Sequence, residues 1–452
     1  MRRNRVAVAG LLLLTGAAAL IVARPGQAVS GERTVPLDGS PSALALDPRT
    51  GYAFVAIAGP NGSNGRVTTL DSATGAVLRT VAVGSGLQII DPRAMVVDSH
   101  TGHVLEANED TTVSVLDARD GRLLGTLTVG DGLSLPVDMA VDERGGRAFI
   151  LGNGGVGRIT VLDTRDGRPL RVIPLHGFPS LLAVDARARR LFVADSGGTH
   201  VLDEGSGRPL RTVSASGLLA VDARAGRVYV AGGVSVDSGG HLKTDATLGM
   251  FDSGAGAPVG TTRLGQNRFP LAIGVDDRTG HVFVSSAHAG SGCGMVDILD
   301  ARSGRLLRAV AVGQTPLSLA VDTRHERVVI ADAGARDSQG ALSGPGSVDV
   351  LDARTGQVLR TIPQDGAPIL AAVDERRGRA VVVSRVAVPC ARPVTAAPTK
   401  NVVDAVRAYV TRFFARPRAF APAGALASST RHVEISSKRL PHRRHIARLY
   451  KI

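Results

Sequence analysis

The sequence has no tryptophan, only two cysteines, and aromatic residues at just 3% of its 452 positions. It contains no H-E-x-x-H, no G-x-S-x-G and no pair of histidines at metal-ligand spacing on one strand. Zinc-protease and α/β-hydrolase chemistry therefore lack their defining residues. Two cysteines, Cys293 and Cys390, are too few for a fold that depends on disulfides. Four Tyr and ten Phe leave few platforms on which single-stranded nucleic acid could stack.

What is present is a repeat. Its clearest copy starts at Pro316 and reads PLSLAVDTRHERVVIAD, then a Gly/Ser-rich loop, then GSVDVLDARTGQVLRTI. Four short runs rich in Val, Leu and Ala (317–322, 327–332, 347–352 and 357–362) alternate apolar with other residues, a strand signal. The unit has no room for a ten-residue amphipathic helix. An Asp-x-x-x-Gly or its near equivalent separates the first run from the second and the third from the fourth. Asp can bind backbone amides ahead of it, and Gly accepts the left-handed conformation that closes such a loop. Each unit is thus expected to be a four-stranded antiparallel meander.

The punctuation counts the copies. The Asp ending the first strand recurs as Asp47, Asp98, Asp142, Asp185, Asp222, Asp276, Asp322 and Asp374. The Asp ending the third recurs as Asp71, Asp117, Asp163, Asp203, Asp252, Asp300 and Asp352, each four residues before a Gly. A spacing of roughly 45 residues is the period of propeller blades, and a ring removes the long exposed edges of an open array. Ala45, Val96, Ala140, Ala183, Ala220, Gly274, Ala320 and Ala372 supply small residues where inner strands converge on an axis. The expected fold is all-β, a β-propeller of four-stranded antiparallel blades. The count favours eight blades over seven. Segment 32–37 resembles a lone fourth strand, and 367–388 holds a first and second strand, so the N-terminal strand is expected to close the ring.

Three regions follow. Residues 1–30 have a basic start, an apolar run from Val6 to Val22 and small residues near Ala28 and Ser30, as in a secretory signal peptide or, alternatively, a retained N-terminal anchor. Residues 31–388 form the propeller. Residues 389–452 comprise a Pro/Ala-rich linker, a short helix near 401–415 and a basic tail. From Arg385 onward there are 14 Lys/Arg against Asp404 and Glu434, whereas 34–384 carries 34 basic and 37 acidic residues. The net charge of +13 therefore resides mainly in the tail, and it is no argument that the ring binds nucleic acid. The tail could contact an anionic cell surface or be a solvated extension.

The pattern P-x-x-[LAI]-A-V-D-x-R-T-G-x-[VA]-[FY]-V-A with G-x-V-[ST]-V-L-D-x-x-T-G resembles the YVTN repeat of the YncE-like family of exported bacterial β-propellers. It covers about 32–388, with Pro41, Ala45, Asp47, Gly51, Val55, Leu70, Asp71 and Gly75 as matching positions in the first unit. The resemblance implies a seven-bladed extracytoplasmic ring, mostly without assigned activity. This chain departs in its eight first-strand motifs and its basic tail. Propeller dehydrogenases that use quinones, and WD-type scaffolds, place tryptophans in their blades; this chain has none.

The recurring Asp residues read as turn closers and the eleven Arg residues two positions beyond them as a solvated rim, with an anion-binding face as the sharper alternative. The loops after strands two and four vary in length, and variable loops on a constant frame are where specificity resides. Polar residues expected near the axis on that side are Arg93, Glu106, Asn108, Asp138, Asn153, Asp195, His288 and Asp332. They form the candidate ligand site. No catalytic residue, metal or cofactor is assigned. The expected function is an extracytoplasmic binding module, secreted or at the cell surface or periplasm, acting as a monomer on a protein, polymer or small-molecule ligand. The alternative is a lyase or lactonase-type propeller enzyme using axial carboxylates and a divalent metal. Cys293 and Cys390 fall in corresponding loops and are a candidate disulfide. Export predicts a mature chain that begins near Ala28–Ser30, checked by N-terminal peptide mapping of the extracytoplasmic fraction.

Overall fold

The computed structural model describes residues 33–58, 65–84, 95–108, 110–129, 135–153, 157–236, 242–288, 294–335, 344–386 and 444–451. Their regular elements are 32 strands, paired into eight four-stranded antiparallel sheets. In seven of these sheets four consecutive strands pair in chain order. These are blade 1 (40–82), blade 2 (95–128), blade 3 (135–174), blade 4 (181–213), blade 5 (217–266), blade 6 (268–312) and blade 7 (316–363).

The turns form as their residues dictate. In blade 1 the Gly75 N–H donates to the Asp71 carbonyl at 2.8 Å, and Asp71 Oδ1 accepts the amides of Ala73 and Thr74 at 2.6 and 3.1 Å. Gly75 sits at φ 71°, a conformation that costs a residue with Cβ about 1–2 kcal/mol. All seven blades repeat this turn, each after a register shift next to the residue before the Asp. The first hairpin works likewise: Asp47 is buried and accepts the Arg49 and Thr50 amides. The recurring Arg thus supplies a backbone donor to its turn while its side chain is exposed.

Proline marks a second irregularity. Register shifts follow Pro41, Pro136, Pro270, Pro316 and Pro368 on the inner strands. Proline has no N–H for the ladder, so it is accommodated by a bulge. Blade 5 has Gly217–Leu218 in this region, no proline, and an unbroken register.

Hydrophobic clusters lie at the seams between successive sheets. Phe54, Phe149, Phe192, Tyr229 and Phe283, from the middle of second strands, are all fully buried. Each such side chain contributes about 1.5–3 kcal/mol. Tyr229 also donates to the Ala301 carbonyl across the blade 5–6 seam at 2.6 Å. At the axis the strands nearly touch: a Cβ on Gly274 would lie 2.7 Å from Leu319 and 2.8 Å from Val321 of the next blade.

The expectation of eight blades over seven is corrected: seven sheets, not eight, are blades of four consecutive strands. Seven blades are complete copies of the unit, and the remaining sheet is a composite drawn from three parts of the chain. Its order is 33–38, 444–451, 379–386, 366–374. The first strand of the described chain lies outermost, as a fourth strand would. The third position is filled by Arg444–Lys451, a segment read from sequence as basic tail. Its charges mask any apolar alternation, so a strand paired on both edges was not visible in the residue pattern. The remainder of 387–443, including the expected helix, lies outside the described residues.

The inner strands contact one another in succession, and Gly366–Asp374 meets Ser40–Asp47 to complete the circle. This last seam holds Val35, Leu37, Leu44, Val55, Ile57, Ile369 and Leu370. Ser72 Oγ donates to Asp374 Oδ2 at 3.1 Å, and Arg377 donates to the Thr50 carbonyl at 2.9 Å. Deleting 444–452 leaves two strand edges of this sheet unpaired. It is expected to lower the melting temperature by several degrees, and an added peptide spanning 442–452 should restore part of the loss, both read by differential scanning calorimetry.

Candidate functional site

The side of the ring opposite the Asp-x-x-x-Gly turns carries the connections from strand two to three and from strand four to the next blade. Most of the candidate residues cluster in this half, at the end of second strands or near the start of first strands. In five blades the structure fills those positions with buried polar groups.

Asp138, fully buried in blade 3, accepts the Met139 N–H at 2.8 Å and the Leu182 N–H of blade 4 at 2.6 Å. Ser318 repeats the device, accepting the Ala371 N–H of the closing sheet at 3.1 Å. Both residues stand two positions after the inner-strand proline, and both staple one inner strand to the next. Asn108, Asp195 and Asp332 are equivalent, each five residues after the start of the second strand. Asn108 donates to Thr112 and Ser114 at 2.9 and 3.0 Å. Asp195 accepts the Gly197 and Gly198 amides and pairs with His200 at 2.9 Å. Asp332 accepts the Gly334 N–H at 2.8 Å.

These residues also lie against the connection entering their blade. A Cβ on Gly84 would lie 2.8 Å from the Asn108 side chain, one on Gly177 would lie 3.1 Å from Asp195, and one on Gly313 would lie 2.3 Å from Asp332. Asn153 and His288 are half-buried at the ends of their second strands. Arg93, Cys293 and Cys390 lie outside the described residues. The candidates are thus spread over five blades, and the bonds just given run to turns and seams rather than to a common centre.

Glu106 differs. It occupies a position that is Val55, Ile150, Val193, Val230, Val284, Ile330 or Val382 in the other sheets, facing Met95 and Ser114 across the ladder. Burial, with Asp110 nearby, pushes its carboxyl up to about 8, so it is neutral at pH 7. Among the described residues its Oε2 has no hydrogen-bond partner.

Sequence reasoning missed Arg268, Asp297 and Asp349. Arg268, in blade 6, pairs with Asp297 at 2.6 Å and bonds Ser286 at 2.8 Å, all three buried. Burial raises Asp297 to about 6 even though Arg268 pulls it down. The available signal was VDILD and VDVLD, in which Asp replaces the Thr or Ser of VTTLD, VSVLD and ITVLD. Among the described residues no group of three or more His, Cys, Asp or Glu is placed to hold a metal ion. A cleft of about 120 Å³ lined by Pro36, Leu37, Ile57, Arg66, Thr68, Val77 and Thr80 includes none of the candidates.

Four-stranded antiparallel sheets stacked seam to seam around a closed circle make this chain a β-propeller. No family model and no curated protein matches its sequence. Among solved structures it is similar to the computationally designed Ika8 protein, at 18% identity over 77% of this chain and 94% of that one, with a TM-score of 0.55. It is also similar to dihydro-heme d1 dehydrogenase NirN in complex with DHE, at 14% identity over 72% of this chain and 66% of that one, with a TM-score of 0.52. BamB from Moraxella catarrhalis aligns at 18% identity over 72% and 86% of the two chains, with a TM-score of 0.44. At these identities the likeness is one of fold alone.

Glu106 carries a pH dependence. Between 4.5 and about 8 the folded chain holds a proton that the unfolded chain has lost. Stability from this group is therefore full below pH 4.5 and falls as pH rises to about 8, by up to about 1.4 kcal/mol per unit. E106Q is expected to flatten that slope in urea melts taken from pH 5 to 8. D138A, which leaves the Leu182 N–H unpaired, is expected to cost about 1–3 kcal/mol at every pH.

Proposed function

We propose that the protein is an exported binding module of the YVTN-repeat type, with its ligand face on the strand-two-to-three connections. The observation that carries the reading is the contrast between constant frame and variable connections. Blade 4 joins Asp195 to Gly198 through two residues, whereas blade 7 places fourteen, 333–346, between Asp332 and Ser347. Blade 5 instead extends both strands, over Arg227–Val236 and Leu242–Asp252. Neither the turns nor the seams need this diversity, so it is available for recognition. The described bonds of Asn108, Asp138, Asp195 and Asp332 serve turns and seams, which favours binding over acid–base catalysis. The basic, then apolar, N-terminal stretch supports export, and the repeat motif supports the family.

The test is an array of cell-envelope polymers and peptides probed with the purified chain and two variants. One variant shortens the blade 7 connection by replacing 336–343 with Gly-Gly, keeping Ala333, Gly334 and Gly346, which bond within the frame; the other changes Arg119, Arg165, Arg302 and Arg354 on the turn side to Ser. Binding is expected to be lost in the first and kept in the second, with cooperative melting in both. The reverse pattern places recognition on the turns and sinks the reading.

A further inference from the structure

The repeat allows one small region to be compared from blade to blade. The residue five positions after the start of the second strand and the residue three before the Asp of the third lie on the same sheet face, one diagonal step apart. In blade 2 they are Asn108 and Ser114, both neutral and bonded at 3.0 Å. In blade 4 they are Asp195 and His200, an acid joined to a base. In blade 6 they are Ser286 and Asp297, and the Arg268 guanidinium fills the space between them, bonding also to the Leu264 carbonyl.

Blade 7 departs from this balance. Its pair is Asp332 and Asp349, only 1% and 3% exposed. Among the described residues no Arg, Lys or His bonds either of them; Gln314 stands two positions before Pro316, where blade 6 has Arg268 two before Pro270. Among the described residues Asp332 Oδ2 is buried with no group within hydrogen-bond geometry. Asp349 Oδ1 is committed to Thr361 at 2.5 Å, but its Oδ2 has only long contacts, 3.3 Å to Ser347 Oγ and 3.4 Å to the Gly313 N–H. Burial, with Asp349 adding to it, raises Asp332 to about 6, although the amides of Gly334, Thr315 and Gln314 pull it down.

We propose that Asp332 and Asp349, with Ser347, form a binding site for a divalent cation at the seam of blades 6 and 7, where blade 6 uses its own guanidinium. Two carboxylates and a hydroxyl are hard oxygen donors, which suit Ca²⁺ or Mg²⁺ rather than a soft metal. Two buried like charges repel and each loses its water, so a cation of charge two offsets both costs. The ion is structural: it ties the connection at 313–315 to the end of the second strand, away from any reaction. The proposal is independent of what the loops recognise.

Ca²⁺ alone is the probe. The full chain, stripped with chelator and dialysed, is titrated by isothermal calorimetry and melted with and without millimolar CaCl₂ at pH 7.5. One saturable site per chain and a raised melting temperature are expected. D332N and D349N should each weaken binding at least about tenfold, while D297N in blade 6 leaves the affinity unchanged. Because an Asp variant could fail to fold, Q314R supplies a second arm: it places the blade 6 cation beside the pair and should abolish Ca²⁺ binding while the chain still melts cooperatively. Identical melting of the wild-type chain in chelator and in CaCl₂ without saturable binding means that a proton alone neutralises the pair. That result overturns the proposal, as does full-affinity binding by a folded D332N/D349N variant or by Q314R.

Discussion

Everything in this protein depends on the seam between neighbouring sheets. A four-stranded meander of this composition presents two apolar faces and cannot bury either by itself. Each blade hides its faces only against the blades before and after it, so the series must return to its start. The composite sheet meets that requirement. Strands 33–38 and 444–451 come from far ends of the sequence and are held side by side with 379–386. Ser72, Asp374, Arg377 and Thr50 then bond across more than three hundred residues of chain. The cost of that contact order is loop-closure entropy, which grows only slowly with length.

The same seams explain the polar residues. Backbone groups of inner strands and of connections need partners: Asp138 and Ser318 serve the inner strand of the next sheet, and Asp332 serves the connection that follows it. Buried carboxylates here are therefore largely construction. Glu106, held neutral at a position that is Val or Ile in the other sheets, and the Asp332–Asp349 pair, bonded by no described cation, stand apart from that construction.

Much of the fold was legible in the residues. Asp-x-x-x-Gly states its own turn, since a carboxylate four residues before a glycine can satisfy two amides locally whatever lies around it. Alternating apolar residues state the strands, and a period near 45 residues states the blade. Proline at the head of five inner strands even marks where the ladder shifts. The closing sheet was half legible. LRTVAVG and ERTVPLDG share a fourth-strand pattern, but RHIARLYK carries no comparable sign, because its place depends on two edges left open elsewhere. The candidate site was least legible. Asn108, Asp195 and Asp332 were found by type, yet polarity at the end of a strand does not say whether a side chain faces ligand or an amide of the next blade.

By itself the sequence determined the local geometry: strands, turns, bulges and their repetition, all set by contacts between residues a few positions apart. Only the tertiary structure decided how the ring closes, that 444–451 belongs to it, and which acids meet which partners across a seam. The physical reason is range. A turn is settled within five residues, whereas pairing at an open edge, or neutralising a buried charge, depends on whatever the finished circle brings alongside.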